Sequence, residues 1–196
     1  MFPIEPSEKD NQEARADIDN LYDEFVTTQN LRQFLARNSD KPLDTYYYKE
    51  GELVSISAVL DSFAFNATMR DVLPVYKEDN FFRAARIADV KQLPDSVFVH
   101  HILLQNETRE ARIIADSLIT VLKGDPGSFV RLAGEFSADR NPNVNPGEIG
   151  WFVQAAYIPG MESVFEAPLN KPYIAETQYG IHVVKVSERT RPHKKV

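Results

Sequence analysis

Histidine is scarce in this chain and unevenly placed. Of the four, His100 and His101 share one β-rich run, His182 lies in another, His193 is near the C-terminal end, and the first 92 residues hold none. An imidazole can move a proton near neutral pH, donate or accept a hydrogen bond according to its tautomer, or ligate a metal. Metal binding by His101 and His182 is disfavoured, because a catalytic zinc normally takes three protein ligands and no third accompanies them at a recognisable spacing. The absence of cysteine excludes disulfides, thiolate nucleophiles and thiolate metal sites. Taken singly, a strand histidine is more often a satisfied structural residue than a reactive one. Asp139, in a polar loop, reads by default as a turn residue. His100 reads as a surface strand residue and His193 as a tail residue.

The elements that must position these groups follow from local pattern. Val97 to Leu104 is β-rich and bounded by Pro94-Asp95-Ser96 and Gln105-Asn106, so it reads as a strand whose alternation sends His100 and His101 to opposite faces. Glu110 to Leu122 is an amphipathic helix ended by Gly124, and Pro126 and Gly127 prevent its continuation. A second helix starts after Ser128, read as its N-cap, and buries Phe129, Leu132, Ala133 and Phe136. Residues 137–147, polar and rich in Asn and Pro, are loop. Glu148 to Val153 reads as a short strand, Met161 to Phe165 as a helical turn, and Ile181 to Ser187 as a last alternating strand. The order β-α-α-β-α-β makes an α+β domain with a small mixed sheet covered by helices.

The first half carries a similar apolar pattern. Ala14, Ile18, Leu21 and Phe25 recur 97 residues later as Ala111, Ala115, Leu118 and Leu122, behind Glu13-Ala14-Arg15 and Glu110-Ala111-Arg112. Leu31, Phe34 and Ser39 recur as Phe129, Leu132 and Ser137; Val75, Phe82, Ala85 and Ile87 recur as Ile174, Ile181, Val184 and Val186. A repeat that long is read as two tandem copies of one small domain, residues 1–92 and 95–190, joined at Leu93 to Ser96. In the first copy Phe2 to Glu5, Tyr46 to Lys49 and Phe81 to Asp89 are expected as strands, and Glu13 to Val26 and Leu31 to Ala36 as helices. The competing reading is that residues 1–92 form an unrelated α+β cap.

The chain has 196 residues, 43% of them hydrophobic, with 29 acidic against 22 basic side chains and a net charge of −7. That balance argues against nucleic acid as a partner, the only basic run being Arg189 to Lys195, which is expected to be a frayed tail. No apolar stretch approaches the roughly 20 residues that cross a bilayer. Met1-Phe2-Pro3-Ile4 lacks the regions of a signal peptide, so a targeting or anchoring segment is expected upstream if the protein has one.

Four blocks of the second half, in order, resemble the parvulin-type peptidyl-prolyl cis/trans isomerases: His101 to Leu104, Phe136 to Asp139, Gly147 to Phe152, and Thr177 to Val186. Tandem parvulin-like (FKBP-like) domains with the first copy degenerate are similar to the envelope foldases of bacteria, the SurA/PpiD/PrsA group. The resemblance implies a periplasmic or envelope location, clients that are unfolded or extended polypeptides containing X-Pro bonds, and no cofactor or metal; membrane contact would come only through segments outside this sequence. Position by position, it places the family's paired histidines on His101 and His182, its Cys-or-Asp position on Asp139 and its hydroxyl on Thr177. The proline pocket falls on Ile149, Tyr157 and Met161, with Phe165 behind, Phe152 as wall and Tyr179 at a variable position. Tyr157 and Met161 depart from the Met and Phe that are frequent there. Trp151 and Phe152 read as core and pocket wall.

The implied reaction changes no covalent bond. Amide conjugation opposes rotation by ~18–20 kcal/mol, and X-Pro bonds populate both isomers while exchanging over tens to hundreds of seconds. A pocket that grips the proline ring can stabilise the twisted amide by differential binding. The histidine pair is expected to share a hydrogen bond, with Thr177 holding one outer nitrogen, and to orient rather than attack. Asp139 supplies either negative potential or a hydrogen-bond acceptor. The first copy, without any of these polar groups, is expected to be a scaffold or polypeptide-binding module; a non-catalytic chaperone groove is the alternative function.

Overall fold

The computed structural model describes residues 6–156 and 158–196, and the chain divides into two units, Met1–Gln92 with Lys194–Val196, and Leu93–His193.

In the first unit, Ser7 caps α1 (Glu8–Thr27) through a reciprocal capping box with Asp10, and Asn30 caps α2 (Leu31–Asn38) by accepting from the Gln33 amide. After a 3-10 turn at Leu53–Ser55 comes α3 (Ala58–Asn66), capped by Ser57. The Asp61 carboxylate on α3 accepts from the amides of Gly51 (3.0 Å) and Leu53 (3.2 Å), tying the helix to that turn. β1 (Val72–Glu78) and β2 (Phe81–Arg86) make an antiparallel hairpin. The buried centre is Leu53, Ala64, Ala67 and Ile87, with Tyr48, Phe63 and Val196 packed around it. β3 (Lys91–Leu93) pairs with the last strand of the chain, His193–Lys195, in a separate two-stranded sheet.

The second unit is built on β4 (Ser96–Gln105), followed by α4 (Arg109–Gly124), α5 (Phe129–Phe136), β5 (Glu148–Val153), β6 (Tyr173–Thr177) and β7 (Gly180–Arg189); the chain ends in β8 (His193–Lys195). The four strands lie in the order β5-β4-β7-β6 with every ladder antiparallel. The sheet is therefore not mixed as expected: β6, which the sequence reading passed over, inserts a hairpin partner for β7. One face of the sheet, carrying Ile102, Leu104, Ile181 and Val183, is covered by Ala115, Leu118 and Leu122 of α4 and by Phe129 and Leu132 of α5. Each of the Val, Leu, Ile and Phe side chains among them, fully buried, is worth about 1.5–3 kcal/mol relative to exposure. Asp125, not Ser128, caps the approach to α5, since the Ser128 hydroxyl donates back to the Asp125 carbonyl.

The repeat read from the apolar spacing is not reproduced. Ala111, Ala115, Leu118 and Leu122 are all buried in α4, whereas no residue of α1 is, including their counterparts Ala14, Ile18, Leu21 and Phe25. The first unit has a two-stranded hairpin where the second has a four-stranded sheet. Tyr46 to Lys49 lies in no named strand, although Tyr48 exchanges both backbone hydrogen bonds with Val196 (2.8 and 3.1 Å). The strand expected at Phe2 to Glu5 lies outside the described residues. Apolar spacing at 3.6 residues specifies a one-sided helix but not what covers that side, so two unrelated units can share it. Among the described residues the strand inventory therefore does not bear out a second copy of the domain. Nor is the basic C-terminal run frayed: Lys195 is buried and the Lys194 ammonium donates to the carbonyls of Phe65 and Ala67.

Candidate functional site

On the sheet face opposite α4 and α5, the register assembles a polar chain. His101 lies opposite Val184 and Leu103 opposite His182, so His101 and His182 are diagonal neighbours on one face; His182 in turn lies opposite Ala175, diagonal to Thr177. The Nδ1 atoms of the two imidazoles are 2.9 Å apart. His101 Nε2 is 2.9 Å from Asp139 Oδ2, and His182 Nε2 is 2.7 Å from the Thr177 hydroxyl. The sequence therefore named four residues that the fold brings together.

The hydrogens in this chain have one consistent assignment. As a carboxylate, Asp139 can only accept, so His101 carries its proton on Nε2 and accepts at Nδ1. His182 then donates from Nδ1 and accepts at Nε2, where the Thr177 O–H donates. Thr177 Oγ1 also accepts from the Tyr179 amide at 3.1 Å. Every donor points toward Asp139. Burial lowers the pKa of His101, with Asp139 working against it; burial, and then His101, lower that of His182 to about 4. Both rings are neutral at pH 7, as the shared Nδ1–H···Nδ1 bond requires.

The loop carrying Asp139 is fixed by Ser137, named above only as a repeat position and as part of the Phe136 to Asp139 block. Its buried hydroxyl accepts from the Leu103 amide (3.1 Å), and the next amide, Ala138, donates to the Leu103 carbonyl (2.8 Å). A serine directly after an amphipathic helix was the available signal. On the other side of the loop, Gly147 accepts from the His101 amide at 2.7 Å with φ +79°, and a Cβ there would fall 2.6 Å from that of Ala133 and 2.8 Å from the His101 carbonyl. Only glycine allows that approach.

The expected apolar pocket is reached differently. Met161 is fully enclosed, Phe152 and Phe165 are buried, Ile149 is half-buried and the Tyr179 side chain is 54% exposed. Tyr157 lies outside the described residues. A cleft of about 180 Å³ opens beside Asp139, lined by Gly134, Arg140, Asn145 and Glu148 among others, and by none of those apolar residues. Trp151 is exposed rather than core, its ring edge-on to Phe98 at 5.5 Å. His100 is not a free surface residue: its Nε2 is 3.1 Å from the Ser187 hydroxyl and its ring meets Phe129. His193 pairs with Asp95 at 3.0 Å.

The family described as the PPIC-type PPIase domain matches residues 82–190, more than half of the chain and all four residues of the polar chain. The chaperone SurA of Shewanella frigidimarina is 28% identical over 139 residues, 64% of this chain and 31% of that protein. SurA of Pseudomonas syringae is 33% identical over 107 residues, half of this chain and 24% of that protein. The chain thus spans about a quarter to a third of the length of these relatives. Among solved structures, the peptidylprolyl isomerase PrsA of Bacillus anthracis aligns over 52% of this chain and 44% of its own, at 19% identity and a TM-score of 0.43.

Proposed function

This chain belongs to the PPIC-type peptidyl-prolyl isomerase family, and from that premise we propose that its second unit catalyses cis/trans isomerisation of X-Pro bonds in unfolded polypeptides, beside the Asp139–His101–His182–Thr177 chain. The observation that carries the proposal is that this chain is continuous and directed, with each neutral ring holding its neighbour in one tautomer.

In this reading the rings do no proton transfer, because no bond to hydrogen changes in the reaction. They form a rigid polar wall with Asp139 at its open end, its side chain 49% exposed, while His101 is buried. The twisted amide has lost conjugation, so its nitrogen becomes a better acceptor and its carbonyl resembles a ketone. A negative group beside that carbonyl disfavours the planar, charge-separated resonance form relative to the twisted one, which is differential binding of the transition state. Ile149, Phe152, Tyr157, Met161 and Phe165 are proposed to hold the proline ring, with Tyr179 at the rim. Enclosed Met161 would serve as floor, and half-buried Ile149 as contact surface.

The wider role we infer is that of an envelope foldase acting on extended clients. No helix among the described residues is long and apolar enough to cross a membrane. A second reading, a groove that holds polypeptide without turning it over, is favoured by one observation: the open cleft beside Asp139 is loop-lined and includes none of the residues expected to grip the proline ring. Magnetisation-exchange NMR on a set of X-Pro peptides, using the whole chain, decides between them. Accelerated exchange that falls in Asp139→Ala supports the isomerase; peptide binding without acceleration supports the holding groove.

A further inference from the structure

A second cleft, of about 350 Å³, lies within the first unit, and three arginines line it: Arg32, Arg70 and Arg86, together with Leu31, Leu43 and Met69. Among the described residues no acidic side chain lines it, in a chain where Asp and Glu outnumber Lys and Arg by 29 to 22. Arg86 is anchored at one nitrogen, Nη1 donating to the carbonyls of Phe25 (3.1 Å) and Thr28 (3.0 Å), while its Nε is buried and meets no acceptor. Arg32 and Arg70 have no ion pair or side-chain hydrogen bond among the described residues. The carboxylate beside Arg70 in sequence, Asp71, is engaged by the amide (2.8 Å) and hydroxyl (2.9 Å) of Thr68.

Three guanidinium groups in one cleft repel one another, and a buried N–H without an acceptor is unfavourable. An oxyanion relieves both. A carboxylate matches the planar fork of a guanidinium with two parallel hydrogen bonds, and such charge-assisted pairs are the stronger class. The apolar half of the lining narrows the ligand further. Met69 is 55% exposed, and Leu31 and Leu43 are half-buried, so the group carrying the charge must also present an apolar side chain at the same point. The last residue of a polypeptide does so: its α-carboxylate and its side chain leave the same carbon. An internal Asp or Glu instead extends its charge away from the backbone and brings no apolar side chain of its own.

We propose that the Arg32, Arg70 and Arg86 cleft binds the C-terminal carboxylate of an extended polypeptide whose last side chain is apolar. This rests on the polypeptide-handling function inferred above. It would give the first unit a grip on a chain end that is independent of any proline.

The test titrates the whole chain with two proline-free peptides of one sequence ending in leucine, one as the free acid and one amidated, followed by NMR shifts of the lining residues. The free acid should bind about tenfold more tightly, the effect expected when one charge-assisted pair is lost. Inorganic phosphate should displace it, and high salt should weaken it. In the double variant Arg32→Gln, Arg70→Gln the free acid should bind no better than the amide, while X-Pro exchange measured on the same sample stays unchanged. Equal affinity of acid and amide for the unaltered protein overturns the proposal, as does phosphate binding without discrimination between the peptides, which would leave a general anion site. Loss of X-Pro exchange with acid-over-amide discrimination intact would sink only the isomerase reading and support this one.

Discussion

His182 has two ring nitrogens and one partner for each, with no space left over: the residue is 1% exposed. Its pKa lies at about 4 because burial and the neighbouring ring disfavour a charge. The unfolded chain, with a histidine pKa of about 6.5, therefore binds the proton more readily than the native one. The sign follows: this contribution is complete above pH 6.5 and is lost as pH falls toward 4, amounting to about 3 kcal/mol. His101 is shifted the same way and adds to the effect. Denaturant midpoints across pH 4–7 should fall toward acid, and His182→Gln should flatten the slope. Thr177→Val tests the assigned direction of the hydrogens. It keeps the shape but removes the O–H that donates to His182 Nε2, so a buried acceptor is left unpaired at a cost of about 1–3 kcal/mol. Nitrogen-15 shifts of the rings should then show mixed tautomers; a single retained tautomer would contradict the directed chain.

At the scale of elements, the sequence was legible where a pattern has one physical meaning and opaque where it has several. The strand at Val97 to Leu104, the helix at Glu110 to Leu122 and the strand at Glu148 to Val153 were readable because alternation, 3.6-residue spacing and flanking turn residues agree. α3 was missed because Ala58–Asn66 is an apolar run too short for its period to separate helix from strand. β6 was missed because Tyr173–Thr177 earns its place by pairing with β7, a contact no local pattern records. At the site, the fold assembled His101, His182, Asp139 and Thr177 as expected, yet Met161, read as lining a groove, is fully enclosed. The consequence is quantitative. Met161→Ala should destabilise the second unit by about 2–5 kcal/mol, the range for truncating a buried side chain, rather than act on peptide binding alone. Thermal unfolding reads this directly; a loss below 1 kcal/mol would mean that the side chain reaches solvent. Gly147→Ala should push the Asp139 loop off β4, since the added methyl meets Ala133 and the His101 carbonyl.

For the whole molecule, the division of the chain is not a cut between an early half and a late half. Lys194–Val196 belongs with residues 1–92, where the Lys194 ammonium holds the carbonyls of Phe65 and Ala67 at the C-terminal end of α3, and Val196 pairs with Tyr48 and packs on the first unit's core. The second unit is thus a continuous insertion between two parts of the first, and the polar chain lies wholly within it. A continuous segment with its own core, and with the hydrogen bonds of the polar chain all inside it, is the kind of piece that folds alone. Residues 93–193 expressed separately should therefore keep the His101–His182 signature and whatever X-Pro exchange the whole chain has. Removing Lys194 to Val196 should do the reverse. It takes away two ammonium hydrogen bonds, a backbone pair and a packed side chain from the first unit and none from the core of the second. Hydrogen exchange should show protection falling around Tyr48, Phe65 and Ala67 while the amides of β4 and β7 keep theirs. Equal loss in both units would mean that they unfold as one cooperative body, and the insertion would then owe its stability to the unit that carries it.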